Sequence, residues 1–290
     1  MQEFHYERPE TCAEALSLLS RDGARVLAGG TDLIPQMRER RRPPQLIVDV
    51  KRIPELIELA RTDDGGWRIG AALSVAHLGK NETFAREHRG LLESGRLIGS
   101  LQVQSRASLG GNLCNAAPSA DAVPLLIAHD AVAIVASARG TQRMLAESLL
   151  SGPGRTTMEP GALLVAMELP PRASRSAAKY LRFTPRREMD IAIAGAGVRI
   201  DLDAAGRICA ARVVLASVAP VPLRAMRAEA VLLDNLPSQE LFAEAGEAAA
   251  GEAQPISDTR GSADYRRDLV RVLTRRALAH CAAELEGAQA

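Results

Sequence analysis

The chain has 290 residues, enough for two domains and a well-buried core. Its 36 basic and 35 acidic side chains leave a formal net charge of +1, without the polyelectrolyte signature of a nucleic-acid or anionic-membrane binder. Apolar residues make up 47% of the sequence, but one Trp, three Tyr and four Phe are its only aromatics, so an aliphatic core is expected and stacking platforms are scarce.

Read in chain order, MQEFHYERPE has neither a basic start nor an apolar run, so no signal peptide is expected. Thr11-x-x-Glu14 is a capping-box pattern ahead of AEALSLLS, which has helical apolar spacing. ARVLA predicts a short buried strand, then Gly29-Gly30-Thr31 and an amphipathic helix through PQMRERRR with Pro35 in its first turns. QLIVDV closes a compact βαβ-like unit. WRIGAALSVA, 67 to 76, alternates like a strand, and the segment up to 100 looks helical. LGGNLCNAAPSAD, 109 to 121, reads as a loop with almost nothing to offer a core. AVPLLIAHDAVAIVAS predicts a helix that turns at His129-Asp130 into a strand. A Gly/Pro cluster at 152 to 161 and the strand GALLVAMELP precede the expected domain boundary in PRASRSAAK, 171 to 179. Beyond it, IAIAGAGVRIDLDAAGRICAARVVLASV predicts two strands joined by an Asp-Ala-Ala-Gly turn, and three helices finish the chain. The order of elements suggests α+β in two domains.

No apolar run approaches the ~20 residues of a membrane span. Cys12, Cys114, Cys209 and Cys281 are scattered, with no CxxC and no His at ligand spacing, so neither a metal site nor a disulfide framework is expected on this chain. A reduced, cytoplasmic protein is the expectation, with peripheral association at the inner face of the membrane as the alternative. His77, His88 and His129 stand without a nucleophile pattern, and Arg38 to Arg42 reads as a solvated helix end.

The two glycine segments carry the chemistry. A strand that ends in Gly-Gly and opens into a helix exposes several backbone N–H groups, and glycine lets an anion approach them. Thr31 adds a hydroxyl donor or caps the helix, and Asp32 is a second cap candidate. Ser108, Gly110, Gly111 and Asn112 repeat the logic, so two such segments suit a ligand with two phosphates. Asp121 would repel phosphate; it either accepts bonds from sugar hydroxyls or ring N–H groups or caps the following helix. Neither segment matches GxGxxG, so a Rossmann fingerprint is absent, and residue chemistry alone stops at a possible dinucleotide.

LAGGTDL followed about eighty residues later by SLGGNLCNAAPSAD resembles the FAD-binding subunit of the molybdenum hydroxylases, the family of carbon monoxide dehydrogenase medium subunits and xanthine dehydrogenase flavin domains. The similarity extends through LLVAMELP, RFTPRREMDIA, SVAPVPLRA and RGSADYRRDLVRVLTRRAL, covering residues 1 to about 285. It implies an α+β FAD-binding fold of two subdomains, a βαβ unit (1–55) and a mainly antiparallel sheet with helices (56–174). A C-terminal domain of a small antiparallel sheet and helices (175–290) follows.

By the same resemblance, Val26, Leu27, Ala28, Gly29, Gly30, Thr31, Asp32 and Leu33 form the first FAD loop. Ser108, Leu109, Gly110, Gly111, Asn112 and Asn115 belong to the second. Asp121 falls at the flavin-contacting aspartate and Leu164 at a backbone contact. Arg182 replaces the flavin-side lysine of xanthine dehydrogenases, and Ile98 replaces the aromatic those enzymes place beside the flavin. No catalytic acid–base pair is implied on this chain. Substrate would react at a molybdenum-pterin cofactor in a large partner subunit. Electrons would reach this FAD from 2Fe–2S centres in a small subunit and leave for NAD, a quinone, a cytochrome or oxygen, in a dimer of heterotrimers. The alternatives are a stand-alone reductase of the UDP-N-acetylenolpyruvoylglucosamine reductase type, which shares the FAD fold, and a scaffold without flavin.

Overall fold

The computed structural model describes residues 3–39, 43–186 and 189–287. Strands β1 (His5–Glu7), β2 (Ala24–Leu27) and β3 (Leu46–Asp49) form a parallel sheet in the order β1-β3-β2. Helix α1 (Cys12–Leu19) makes the first crossover and α2 (Leu33–Arg38) the second. The capping box starts α1 as expected: Glu14 N–H donates to Thr11 Oγ1 at 3.2 Å, and Thr11 N–H donates back to the Glu14 carboxylate at 3.3 Å. Ala15 and Leu19, one turn apart, then bury against the sheet with Leu46 and Val48. Of the basic run 38 to 42, residues 40–42 lie outside the described residues.

A second, antiparallel sheet follows the short helix α3 (Pro54–Ile57). Its strands β4 (Leu59–Arg61) and β5 (Trp67–Gly70) precede six helices: α4 (Val75–Leu78), α5 (Glu82–Glu87), α6 (Arg89–Gly95), α7 (Leu101–Gln104), α8 (Leu109–Asn115) and α9 (Val123–Ala128). Then come β6 (Val132–Ser137), β7 (Gly140–Leu145), a small hairpin of β8 (Leu150–Gly152) and β9 (Arg155–Thr156), and β10 (Leu163–Leu169). The order is β4-β5-β10-β6-β7. The strand expected over 67 to 76 stops at Gly70, because Ser74 Oγ accepts the His77 N–H and starts a helix in its place.

The third sheet, β11 (Ser176–Phe183), β12 (Ala194–Leu202), β13 (Ile208–Ala216) and β14 (Leu223–Arg224), is antiparallel in sequence order. The Asp-Ala-Ala-Gly turn joins β12 to β13, with Gly206 at φ +82° and Asp203 Oδ1 accepting from Arg207 N–H at 2.8 Å. Helices α10 (Met226–Leu232), α11 (Gln239–Glu252) and α12 (Ala263–Gly287) cover one face with an Ala- and Leu-rich core. The other face meets the second sheet's helices, where Tyr180, Val214 and Ala216 join the same core as Leu125 and Leu126.

That junction depends on close backbone contact. A Cβ at Gly90 of α6 would stand 2.0 Å from the Ala178 carbonyl oxygen of β11. Gly90→Ala gains about 1 kcal/mol of helix propensity. Overpacking against backbone costs up to ~3 kcal/mol, and at this distance the clash dominates. We expect a net loss of ~1–2 kcal/mol in chemical denaturation; an unchanged or raised midpoint would mean that α6 and β11 are not packed in this way.

Candidate functional site

A cavity of about 610 Å³ opens between the parallel sheet and the antiparallel sheet. Its lining combines the two glycine segments with aliphatic residues such as Val26, Leu33, Ile98 and Leu164. Gly29 lies so close to the second glycine segment that a Cβ there would stand 2.2 Å from the Arg106 carbonyl oxygen. Gly110 is equally constrained, its Cβ position being 2.5 Å from the Ala71 carbonyl oxygen. Gly30 takes φ +76°, a conformation that favours glycine. These contacts lock the two glycine segments onto each other and onto the end of β5.

The lock leaves uncommitted donors in residues that line the cavity. The amides of Gly29, Gly30, Thr31 and Asp32 donate to no acceptor among the described residues, and Asp32 makes no side-chain cap for α2. A row of such amides is an anion nest. Across from it, Ser108 caps α8 by accepting Gly111 N–H at 3.0 Å. Asn112 Oδ1 accepts Ala122 N–H at 3.2 Å, and its amide Nδ2 has no partner among the described residues. A Cβ at Gly111 would touch only Ser108 Oγ, so the space beside it is cavity.

Most of the expected residues meet here. Val26, Ala28, Gly29, Gly30, Thr31, Asp32 and Leu33 line one side; Ile98, Ser108, Gly110, Gly111, Asn112, Asn115 and Leu164 line the rest. Leu27 and Leu109 do not, and Leu109 is buried in the core instead. The reading of 109 to 121 as a loop with little to pack is corrected. Residues 109–115 form α8, and Leu109, Leu113, Ala116 and Ala120 are all buried, because the two glycines occupy one face of the helix and the leucines another.

Asp121 and Arg182 also lie outside the cavity lining and hold each other. Arg182 Nη1 donates to Asp121 Oδ2 at 2.5 Å, and Tyr180 Oη donates to Asp121 Oδ1 at 3.2 Å. Asp121 does not cap α9, whose N-cap is Ala122 without a side-chain bond. Burial pushes its carboxyl up to about 6 against the opposing pull of Arg182. Within the expected RRE-x-DIA segment, Arg187 and Glu188 lie outside the described residues.

Tyr180 was not expected from the sequence, since nothing local ties it to a residue 59 positions away. Gly154 and Gly161, in the Gly/Pro cluster, also line the cavity; the sequence marked them only as turn residues. Cys114 lines it as well, with its thiol pushed up to about 12 by burial, and is not primed as a nucleophile. His88 and His129 meet edge to face, ring centroids 5.0 Å apart, in the helical layer; burial lowers His88 to about 4 and His129 well below its usual value, so both are packed neutral rings.

A parallel βαβ unit joined to an antiparallel sheet, with an amide-walled cavity at their junction, defines a dinucleotide-binding flavoprotein scaffold. Residues 2–172 match the family described as FAD binding domain in molybdopterin dehydrogenase, and residues 179–281 match the CO dehydrogenase flavoprotein C-terminal domain. The chain belongs to this family of FAD-binding dehydrogenase subunits. It is 31% identical over 278 residues to the 6-hydroxypseudooxynicotine dehydrogenase complex subunit alpha of Paenarthrobacter nicotinovorans, covering 95% of this chain and 93% of that one. With the xanthine dehydrogenase FAD-binding subunit of Escherichia coli O157:H7 it shares 28% identity, covering 97% of each. A carbon monoxide dehydrogenase structure from Hydrogenophaga pseudoflava superposes with a TM-score of 0.92 at 30% identity, covering 97% of this chain and 98% of that one. The C-terminal match sets this part of the chain with the CO dehydrogenase flavoproteins. Among the described residues, no helix is long and apolar enough to cross a membrane.

Asp121 gives a pH test. An unfolded aspartate titrates near ~3.9, so a folded value about two units higher means that the native state holds an extra proton between them. That stabilisation is complete below ~4 and is lost as pH rises through about 6. Asn mimics the protonated form, so Asp121→Asn should gain stability over wild type between pH 4 and 7, by on the order of 1–3 kcal/mol. Urea denaturation at each pH measures it; the opposite slope would mean that the Arg182 attraction outweighs burial.

Proposed function

We propose that this chain is the FAD-containing electron-transfer subunit of a heterotrimeric molybdenum hydroxylase. In this reading a large partner holds the molybdenum-pterin cofactor and a small partner holds 2Fe–2S centres, the whole assembled as a dimer of heterotrimers in the cytoplasm. Electrons arrive from the small partner and leave for an external acceptor: NAD, a quinone, a cytochrome or oxygen. FAD supplies a centre that exchanges electrons singly with iron–sulfur partners and in pairs with a two-electron acceptor.

The observation that carries the reading is the row of uncommitted amides from Gly29 to Asp32 in a cavity that Gly111, without a side chain, also lines. Those amides would take the pyrophosphate oxygens, with Ser108, Asn112 and Asn115 opposite. Ile98 and the main chain at Leu164 would border the flavin with aliphatic and backbone surface. Asp121, fixed by Tyr180 and Arg182, retains carboxylate lone pairs for a ring N–H. Arg182 sets its charge at the ring's side. Residues 1–174 would then form the FAD-binding domain, divided at 55/56, and 175–290 the C-terminal domain.

The purified chain should show a flavin absorption spectrum with one FAD released per chain and no iron–sulfur signal of its own. Gly111→Val places a branched side chain in the cavity without striking backbone, so we expect a folded protein with an unchanged melting profile and almost no FAD. Normal flavin content in that variant would remove the cavity from the cofactor site.

A further inference from the structure

Behind the first glycine segment lies a chain of polar side chains that does not line the cavity. Tyr6 Oη of β1 donates to Asp49 Oδ2 at 2.5 Å. Lys51 Nζ donates to Asp49 Oδ1 at 2.6 Å and to the Ala28 carbonyl oxygen at 2.9 Å, while Lys51 N–H donates to the same Asp49 oxygen at 3.0 Å. Asp49 is only 5% exposed, at the end of the central strand and opposite Leu27 in the register of β2. The three residues thus tie both outer strands of the parallel sheet to its middle one.

The Ala28 carbonyl and the Gly29 N–H belong to one trans peptide unit and point in opposite directions. Fixing the carbonyl on Lys51 therefore fixes where the N–H points, and both Ala28 and Gly29 line the cavity while Lys51 does not. A second constraint meets it from the other side, because Gly29 is pressed against the Arg106 carbonyl. Asp49 alone would be a buried anion next to an anion nest. Its partners neutralise it and tie it into the sheet: burial pushes its carboxyl up, and the hydrogen bonds from Lys51 and Tyr6 outweigh that and hold it below the usual aspartate range.

We propose that Tyr6, Asp49 and Lys51 are a positioning relay for the cofactor site, in which Lys51 holds the Ala28–Gly29 peptide so that its N–H faces the anionic part of the dinucleotide. The relay rests on the cavity being the FAD site. It contributes nothing by direct contact; it determines the direction of a donor. Lys51 meets the requirement because one ammonium donates in several directions at once, to a carboxylate and to a main-chain carbonyl.

The test is FAD affinity of the full chain, measured by titrating FAD into cofactor-stripped protein and following flavin fluorescence, with melting curves alongside. Lys51→Met alone would leave Asp49 buried without its counter-charge, so the informative variant is Asp49→Asn/Lys51→Met, which removes the charge together with its partner. The relay predicts a folded protein that binds FAD roughly tenfold more weakly or worse, the cost of a lost charge-assisted hydrogen bond. Lys51→Arg, which can still reach both acceptors, should stay within about threefold of wild type. A merely structural ion pair predicts recovery of wild-type affinity in the double variant, and that result overturns the proposal. If the double variant does not fold, Tyr6→Phe decides instead, because its ring is half exposed and only the hydroxyl is lost. About two- to fivefold weaker binding supports the relay, and none overturns it. Gly111→Val separates the two levels. Loss of FAD there with full retention in the relay variants overturns the relay alone; retention in all of them overturns the cavity reading as well.

Discussion

Main chain presses on main chain where Gly29 meets Arg106 and Gly110 meets Ala71, and the rest of the structure is arranged around those two contacts. With Cβ positions 2.2 and 2.5 Å from carbonyl oxygens, no other residue type fits without moving backbone. The parallel sheet therefore meets the antiparallel sheet at a distance that only glycine allows. The cavity is what remains between them, and its lining includes the main chain of both glycine segments. A site built this way gains its polarity from groups that are already fixed, so little reorganisation is needed when an anion enters.

Fixed dipoles near buried charges need compensation, and two carboxylates show how it is arranged. Asp49 stands behind the nest and is neutralised by Lys51 and Tyr6, its carboxyl held low. Asp121 stands apart from the nest and is paired with Arg182, yet burial still raises it to about 6. The difference follows from the number of donors. Asp49 accepts a backbone N–H, an ammonium and a hydroxyl, whereas Asp121 has two side-chain donors. One carboxylate is thus locked as an anion, and the other titrates close to physiological pH, beside where the flavin would lie in the proposed function.

Local rules in the sequence reached a good part of this arrangement. The capping box of α1, the GG turn after β2 and the Asp-Ala-Ala-Gly hairpin were legible because each depends on residues within four positions of one another. The helix over 109–115 was not, because its glycines and asparagines have low helix propensity and only tertiary burial of Leu109 and Leu113 sustains it. The strand pattern of 67 to 76 failed for the same reason in reverse, a serine cap overriding a period-two alternation. The Tyr6–Asp49 hydrogen bond of the relay and the pair Asp121–Arg182 join residues 43 and 61 positions apart, distances at which no pattern in a single chain speaks.

The resemblance assigned the C-terminal sheet to the family without saying what it does for the site, and its small residues answer that. Gly195 and Gly197 fall on one face of β12, two positions apart and opposite Arg182 and Tyr180 in the ladder. A Cβ at Gly195 would stand 2.5 Å from Tyr180 Oη, and one at Gly197 2.8 Å from Pro124. The first glycine makes room for the tyrosine hydroxyl to reach Asp121; the second lets the start of α9 lie against the sheet. Side chains at either place would displace Tyr180 or α9 and, with them, the donors that hold the carboxylate. The C-terminal sheet thus also fixes a residue of the N-terminal half from behind, as Lys51 does for the glycine segment.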